Sequence, residues 1–250
     1  PAKRDRFFPS LGVWSVRGRD VHGSIWELAA KGGHNSEHHN HNDVGSFILN
    51  IDGVPIITEA GMPEYTGSYF DPKYRYGHLA ARTLGHSLPV INGHEQQAGA
   101  DFRGTVLRND LSGSPVTFEA DLTKAYPAAA ECRRFIRRFT LDKEQGVMRW
   151  VDEITLHTPG TIESASLTDA EDVELETPRL AVIRKQGKIM ELHCEEGPGW
   201  NEIEVLAYQA HDGQSARFRR LVQSTRPGEV TNMLTTSIVI KMRAAKTDAA

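Results

Sequence analysis

Apolar residues recur at short, regular intervals along this chain, and the dominant interval is two. Phe47, Leu49 and Ile51 alternate with Ser46, Asn50 and Asp52, which predicts a strand with one face buried. Two shorter strands are expected before it, at Val13–Arg17 and Ser24–Ala30, separated by the turn-forming region from Gly18 to Gly23. Asp52-Gly53 is a strong hairpin signal and should return the chain through Val54–Glu59. From about 103 to 243 strand follows strand, among them 116–120, 134–140, 147–154, 180–184, 188–193, 202–208 and 235–241. Turns such as Asp142–Gly146, Thr158-Pro159-Gly160 and Gly197-Pro198-Gly199 punctuate them. The alanine-rich stretch Asp121–Cys132 is the one place where a short helix competes. The pattern predicts an all-β fold, a large antiparallel β-sandwich over residues 1–243, followed by a disordered tail at 244–250.

Composition narrows the picture modestly. A length of 250 residues is enough for one large domain with a substantial core. The net charge of −4, from 29 basic and 33 acidic residues, excludes a general nucleic-acid binder. No run approaches the roughly 18 apolar residues that a membrane-spanning helix needs, so a soluble chain without a membrane partner is expected. The chain begins Pro1-Ala2-Lys3, shows no signal-peptide pattern, and reads as a processed chain or an excised piece of something longer. Cys132 and Cys194 match no paired zinc-binding pattern and could be bridged or free. The basic run Arg133–Arg138 flanks strand apolar positions and reads as a solvated face.

Chemistry concentrates in one stretch, Gly33–Phe47, which holds four of the eleven histidines with two acids and three asparagines. Imidazole is a common metal ligand and titrates near neutral pH, so a metal or catalytic site is expected there. His39 and His41 are spaced i, i+2 and would share a face in an extended backbone, with Asp43 next along it. Glu59 and His86 are further candidates. A strict two-residue turn at Asp52-Gly53 puts Ile51 opposite Val54 and Glu59 beside Ser46, which leaves His41 five residues further out. At roughly 3.3 Å per residue that is too far for a shared metal. Residues 41–45 should therefore curl back over the strand end, with Gly45 permitting the irregular backbone. Residues 60–88 carry four of the six tyrosines together with Arg75, His78, Arg82 and His86, and suggest a folded functional loop.

Three motifs in order resemble the heparinase II/III-like polysaccharide lyases. They are Gly32-Gly33-His34-Asn35 with Glu37–Phe47, then Gly53–Gly61, then Gly85–Gly93. The resemblance implies the carboxy-terminal β-sandwich, of supersandwich type, of an enzyme whose amino-terminal part is an α/α toroid. It implies a zinc site at His41, Glu59 and His86, with glutamate at 59 where the family usually shows aspartate. The zinc would be mainly structural, pinning the cleft-forming loops. His39 falls where the family has a histidine lining the catalytic cleft. The implied reaction is β-elimination on an acidic, uronate-containing polysaccharide or oligosaccharide. That reaction removes the proton at C5, stabilises the enolate-like charge and protonates the 4-oxygen that leaves. His39 and Tyr74 are the candidates for proton transfer or substrate contact from this half, and Arg82 for pairing with a substrate carboxylate. The main catalytic tyrosine of the family comes from the toroid, which this chain lacks, so weak or no activity alone is expected. A polymer substrate implies a periplasmic or secreted location. Two other readings remain at this stage: a cupin-like metalloenzyme, and a noncatalytic carbohydrate-binding module with a structural zinc.

Overall fold

A computed structural model describes residues 5–71, 73–225 and 229–243. The described residues are organised in antiparallel sheets. The first sheet runs in the order β1 (Arg6–Phe8), β2 (Val13–Arg19), β3 (Ile25–Lys31), β5 (Phe47–Ile51) and β6 (Val54–Ile57). A two-stranded ribbon joins β4 (His34–Asn35) to β8 (Gly99–Arg103). The largest sheet has eight strands. From one edge it contains β14 (Asp172–Thr177), β15 (Leu180–Lys185), β16 (Lys188–Glu196), β19 (Thr231–Met242) and β12 (Val147–Gly160). It continues with β11 (Cys132–Asp142), β10 (Val116–Asp121) and β9 (Thr105–Asp110). The last sheet orders β17 (Glu202–Gln209), β18 (Ser215–Ser224), β13 (Ile162–Thr168) and β7 (Val90–Ile91). No helix among the described residues is long and apolar enough to cross a membrane.

The core lies between the first sheet and the eight-stranded sheet, as period-2 patterning requires. Trp14 stacks on Phe118 with ring centroids 5.6 Å apart. Phe47 meets Phe139 at 4.7 Å and Trp150 at 5.2 Å. All five rings are buried in one cluster with Trp26, Leu49, Ile51, Met148 and Ile240. The fourth sheet continues the first sheet's layer: after β6 the Thr58 N–H donates to the Leu167 carbonyl of β13 at 2.9 Å.

The segments left open by the pattern take definite forms. The alanine-rich stretch forms two 3-10 turns, Thr123–Ala125 and Ala128–Ala130, rather than an α-helix, and Glu131 ends it in a left-handed conformation at φ 55°. Residues 60–88 are folded as one short helix, α1 (Gly67–Phe70), capped by the Thr66 hydroxyl, and three 3-10 turns at Arg75–Gly77, Leu79–Ala81 and Thr83–Gly85. Cys132 and Cys194 are free thiols. The tail expected to be disordered lies outside the described residues.

The basic run is the clearest correction. Arg138 pairs with Glu119 and Arg134 with Glu153 at the surface, but the Arg137 side chain is only 1% exposed. Its Nε and Nη2 hold the two Asp152 carboxylate oxygens at 2.7 Å each. Strand alternation forces this: Phe135, Arg137 and Phe139 share the inward face of β11, so the position can only be filled by a charge that finds its partner inside.

Candidate metal centre

The centre is assembled by two loops held onto the end of the sandwich. The first, Gly33–Ser46, leaves β4 and enters β5. Gly45 sits at φ 93° and donates its N–H to the Lys31 carbonyl at 2.8 Å, and the Ser46 N–H closes a turn on the Asp43 carbonyl at 2.9 Å. This curl draws the stretch back over the strand end. A Cβ at residue 45 would strike the Leu122 side chain, so glycine is required for space as well as for conformation. The second loop, 74–88, runs alongside. The Asn42 N–H donates to the Ala81 carbonyl at 2.9 Å, and the Thr83 hydroxyl donates to the Asn42 carbonyl at 3.2 Å. Arg75, itself buried, grips the Asn40 carbonyl through Nε at 3.2 Å and Nη2 at 2.9 Å.

Two further side chains lock the loops. Buried Gln96 accepts from the Val44 N–H and from Asn35 Nδ2, and donates to the Val44 carbonyl at 2.7 Å. Arg137 Nη1 donates to the Gly45 carbonyl at 2.9 Å and to the Ser87 carbonyl at 2.6 Å. One buried guanidinium thus touches the loop carrying His41 and Asp43 and the loop carrying His86.

Held in this way, His41, Asp43 and His86 bring one ligand atom each to within 4.8 Å of one another. The His41 and His86 rings are 5.3 Å apart, and Glu59 Oε2 reaches His86 Nδ1 at 3.1 Å. Two bends in the chain achieve this. A bulge between Leu49 and Asn50 moves the hairpin from the strict register, pairing Leu49 with Ile57, and the chain then crosses towards β13. Of the sequence-derived set, His41 and His86 converge with Asp43, and Glu59 reaches the group through His86.

The surrounding bonds fix the orientation of both rings, and a metal ion would take the place of the proton that His86 Nδ1 now shares with Glu59. His86 is fully buried and its Nε2 donates to the Ala80 carbonyl at 3.2 Å, which directs Nδ1 to Glu59. His41 Nε2 is engaged by the Tyr69 hydroxyl at 3.2 Å, and its Nδ1 has no hydrogen bond among the described residues. Backbone carbonyls and hydroxyls on the second ring nitrogen are the usual way that metal-binding imidazoles are oriented. Burial, reinforced by neighbouring His86, lowers the His41 pKa to about 4, so its ring is neutral at pH 7. Burial also pushes His86 towards neutrality, but the Glu59 hydrogen bond and charge outweigh it and hold His86 above the ordinary histidine value. Burial raises the Glu59 carboxyl, and the same bond overcomes that and leaves it below its ordinary value. Two imidazoles and the Asp43 carboxylate, with Glu59 adjoining on His86, are donors of the kind that suit zinc or another first-row dication, and the residues present fit such an ion. Lys31, bonded to Asp43 at 2.7 Å and Glu37 at 3.2 Å, offsets part of the acid charge beside it.

The remaining candidates are dispersed. His39 does not share a face with His41, because its backbone is left-handed at φ 57° rather than extended. It is exposed, with its ring edge-on to Phe70 at 6.0 Å. Tyr74 is half exposed, beneath the Lys73 ammonium at 5.1 Å, and among the described residues no hydrogen bond or ring contact joins it to the histidines. The tyrosine that does reach them is Tyr69, buried by Tyr65, Phe70 and His78, with the Arg75 guanidinium 4.4 Å above its ring. The tyrosine-rich composition pointed to the loop, but only the three-dimensional path of α1 distinguishes residue 69 from 74. Arg82 Nε is bound by both Glu95 oxygens at 3.0 and 3.1 Å, and Glu95 also accepts from the Leu84 N–H at 3.0 Å. The arginine lines a polar cavity of about 270 Å³ with Asn42, Tyr76 and Gln96.

The model of the family described as heparinase II/III-like, C-terminal, matches residues 1–249. Among solved structures, the chain is similar to a heparinase III with methylated lysines, at a TM-score of 0.78 and 15% identity, covering 100% of this chain and 37% of that one. It is similar to the heparan sulfate lyase HepC from Pedobacter heparinus at TM-score 0.75 and 13% identity, covering 99% of this chain and 37% of that one. A further heparinase III structure matches at TM-score 0.70 and 17% identity, covering 100% of this chain and 38% of that one. The chain thus spans a little over a third of the length of these structures. No curated protein sequence gives a significant match. On the family match over nearly its whole length, and on the shared fold, this chain belongs to the heparinase II/III-like C-terminal domain family.

Proposed function

We propose that this chain is the zinc-containing sandwich part of a polysaccharide lyase that cleaves an acidic, uronate-bearing polysaccharide by β-elimination. The convergence of His41, Asp43 and His86, with Glu59 on His86, carries this reading. A zinc ion there would be held by the two imidazoles and the two carboxylates, with Glu59 in the place the family gives to an acid. Its contribution is to fix the relative position of the two loops.

The exposed face of those loops then supplies groups to the substrate. His39, exposed on a left-handed backbone, is a candidate to neutralise the uronate carboxylate or to take part in proton transfer. Tyr74 is a candidate proton donor or substrate contact, and Arg82 a candidate contact through the cavity it shares with Asn42 and Tyr76. An α/α toroid preceding this domain would provide the rest of the catalytic set and the other wall of the cleft. A polymeric substrate places the enzyme in a periplasm or outside the cell.

The first test is elemental analysis of the purified chain beside His41→Ala and His86→Ala. About one zinc per chain, lost in both variants, supports the site. A parent protein free of metal after chelator-free purification overturns it. The second is an ultraviolet assay for unsaturated uronate product, run on the full-length protein with its toroid. Absence of that product from uronate polymers of every class refutes the lyase reading while leaving the metal centre standing.

A further inference from the structure

A second cavity lies on the flank of the histidine loop, lined by none of the four groups of the metal centre. It has a volume of about 640 Å³ and opens where β8, the Thr123–Ala125 turn, and the ends of β11 and β12 meet. Four cations converge on it, Arg103, Lys124, Arg133 and Arg134, against a single acid, Asp121. That acid is already occupied, since its Oδ1 accepts from the Thr123 N–H at 2.9 Å and the Thr123 hydroxyl at 2.6 Å. Arg134 is paired with Glu153 at 3.0 Å. Arg103, Lys124 and Arg133 have no ion pair among the described residues, and all three are exposed.

Three cations without an ion pair around one carboxylate leave a local positive excess on a chain of net charge −4, and an anion entering the cavity would offset it. The register produces the convergence rather than chance. His34 of β4 pairs with Arg103, Asp121 with Thr105, and Arg134 with Thr155, which brings the three strand ends into one corner. The remaining lining residues, Thr105, Thr123 and Thr155, add hydroxyls. No aromatic ring lines the cavity, so it offers nothing on which a nucleic-acid base could stack. The volume falls in the range of sites for molecules larger than a lone inorganic anion. Guanidinium forks and hydroxyls suit carboxylate or sulfate groups set on a hydroxyl-rich frame.

We infer that Arg103, Lys124 and Arg133 form a second binding site, separate from the metal centre, for a carboxylated or sulfated stretch of saccharide. The saccharide class rests on the lyase reading above, while the anion site itself rests on the cavity. In this role the site grips the polymer away from the histidine loop and sets where along the chain the polymer is held.

Calorimetric titration of the 250-residue chain with a heparin tetrasaccharide, which carries carboxylates and sulfates, and with a tetragalacturonate, which carries carboxylates only, tests the proposal and separates the two anion sources. Arg103→Ser/Arg133→Ser should weaken tetrasaccharide binding about tenfold or more, and Lys124→Glu should do so as well. Both change exposed side chains, and both should keep the parent's zinc content. His86→Ala should lose zinc and retain tetrasaccharide binding. The inference is overturned if neither tetrasaccharide binds the parent or if the Arg103/Arg133 variant binds like the parent. It is equally overturned if the affinity falls with His86→Ala alone, or if a ten-residue thymidine oligonucleotide binds as tightly as either saccharide. Failure of the uronate assay on the full-length protein would not alter these binding results, so the two readings fail separately.

Discussion

Replacing Arg137 by methionine removes a buried charge that joins the sandwich core to both site loops. The guanidinium makes two bonds of 2.7 Å to Asp152 and two more to the Gly45 and Ser87 carbonyls, all in a site about 1% exposed. Removing one partner of a buried ion pair leaves an uncompensated charge and costs about 3–5 kcal/mol. Each carbonyl left dry adds about 1 kcal/mol or more. Against a typical total stability of about 5–15 kcal/mol, the single variant should sit close to unfolding. The double variant Arg137→Met/Asp152→Leu removes the stranded charge and should recover at least about 2 kcal/mol of that loss, because apolar replacement of a buried pair is often neutral. It leaves the Trp150 indole N–H without the acceptor it has at 2.9 Å, so recovery should be incomplete. Guanidinium unfolding followed by tryptophan fluorescence measures both changes. Zinc affinity, read by chelator competition, should stay weakened in the double variant, since neither Gly45 nor Ser87 regains its donor. A single variant within about 1 kcal/mol of the parent, or a double variant no more stable than the single, would refute the reasoning.

Other outcomes follow from the same geometry. Tyr69→Phe removes the hydroxyl on His41 Nε2 and should weaken zinc binding about tenfold, by chelator competition, while the denaturation midpoint barely moves. Gly45→Ala forces a Cβ into Leu122 at a left-handed position, so about 2–4 kcal/mol should be lost in denaturant unfolding. Zinc at about a hundredfold over its dissociation constant should stabilise the parent by about 2.7 kcal/mol, a rise in melting temperature of roughly 5–10 °C by calorimetry, and His86→Ala should show none of it.

The strands legible in the sequence were those with one polar and one apolar face. β2, β3 and β5 follow the expected ranges closely because alternation survives along their length, and β12 begins as expected at Val147 but runs on past residue 154 to Gly160, where the alternation fades. β13 was not legible, since six of its seven residues are buried, including Ser164, Ser166 and Thr168, and a strand wet on neither face shows no alternation. β18 was hidden by Arg220, whose side chain is 1% exposed and pairs with Glu163 and Glu204 from the two neighbouring strands. The histidine loop announced itself by composition, and His41 and His86 by motif. Asp43 was already in view as the next residue on the face of His41, whereas Tyr69 and Gln96 gained their roles only from loop paths that no spacing rule specifies.

Arg137 shows why the misread residues and the site belong to one problem. A hydropathy reading assigns arginine to the surface, and at Arg134 and Arg138 of the same strand that assignment holds. At Arg137 the strand's alternation and the side chain's charge disagree, and alternation wins because Asp152 supplies the counter-charge from the paired position on β12. A buried pair alone adds little net stability over apolar packing. What apolar packing cannot do is donate two further hydrogen bonds in fixed directions, and this guanidinium spends them on the carbonyl two residues after Asp43 and the carbonyl next to His86. The core charge is therefore explained by the loops it orients, and the cluster of His41, Asp43 and His86 inherits its geometry from a residue bonded to none of the three.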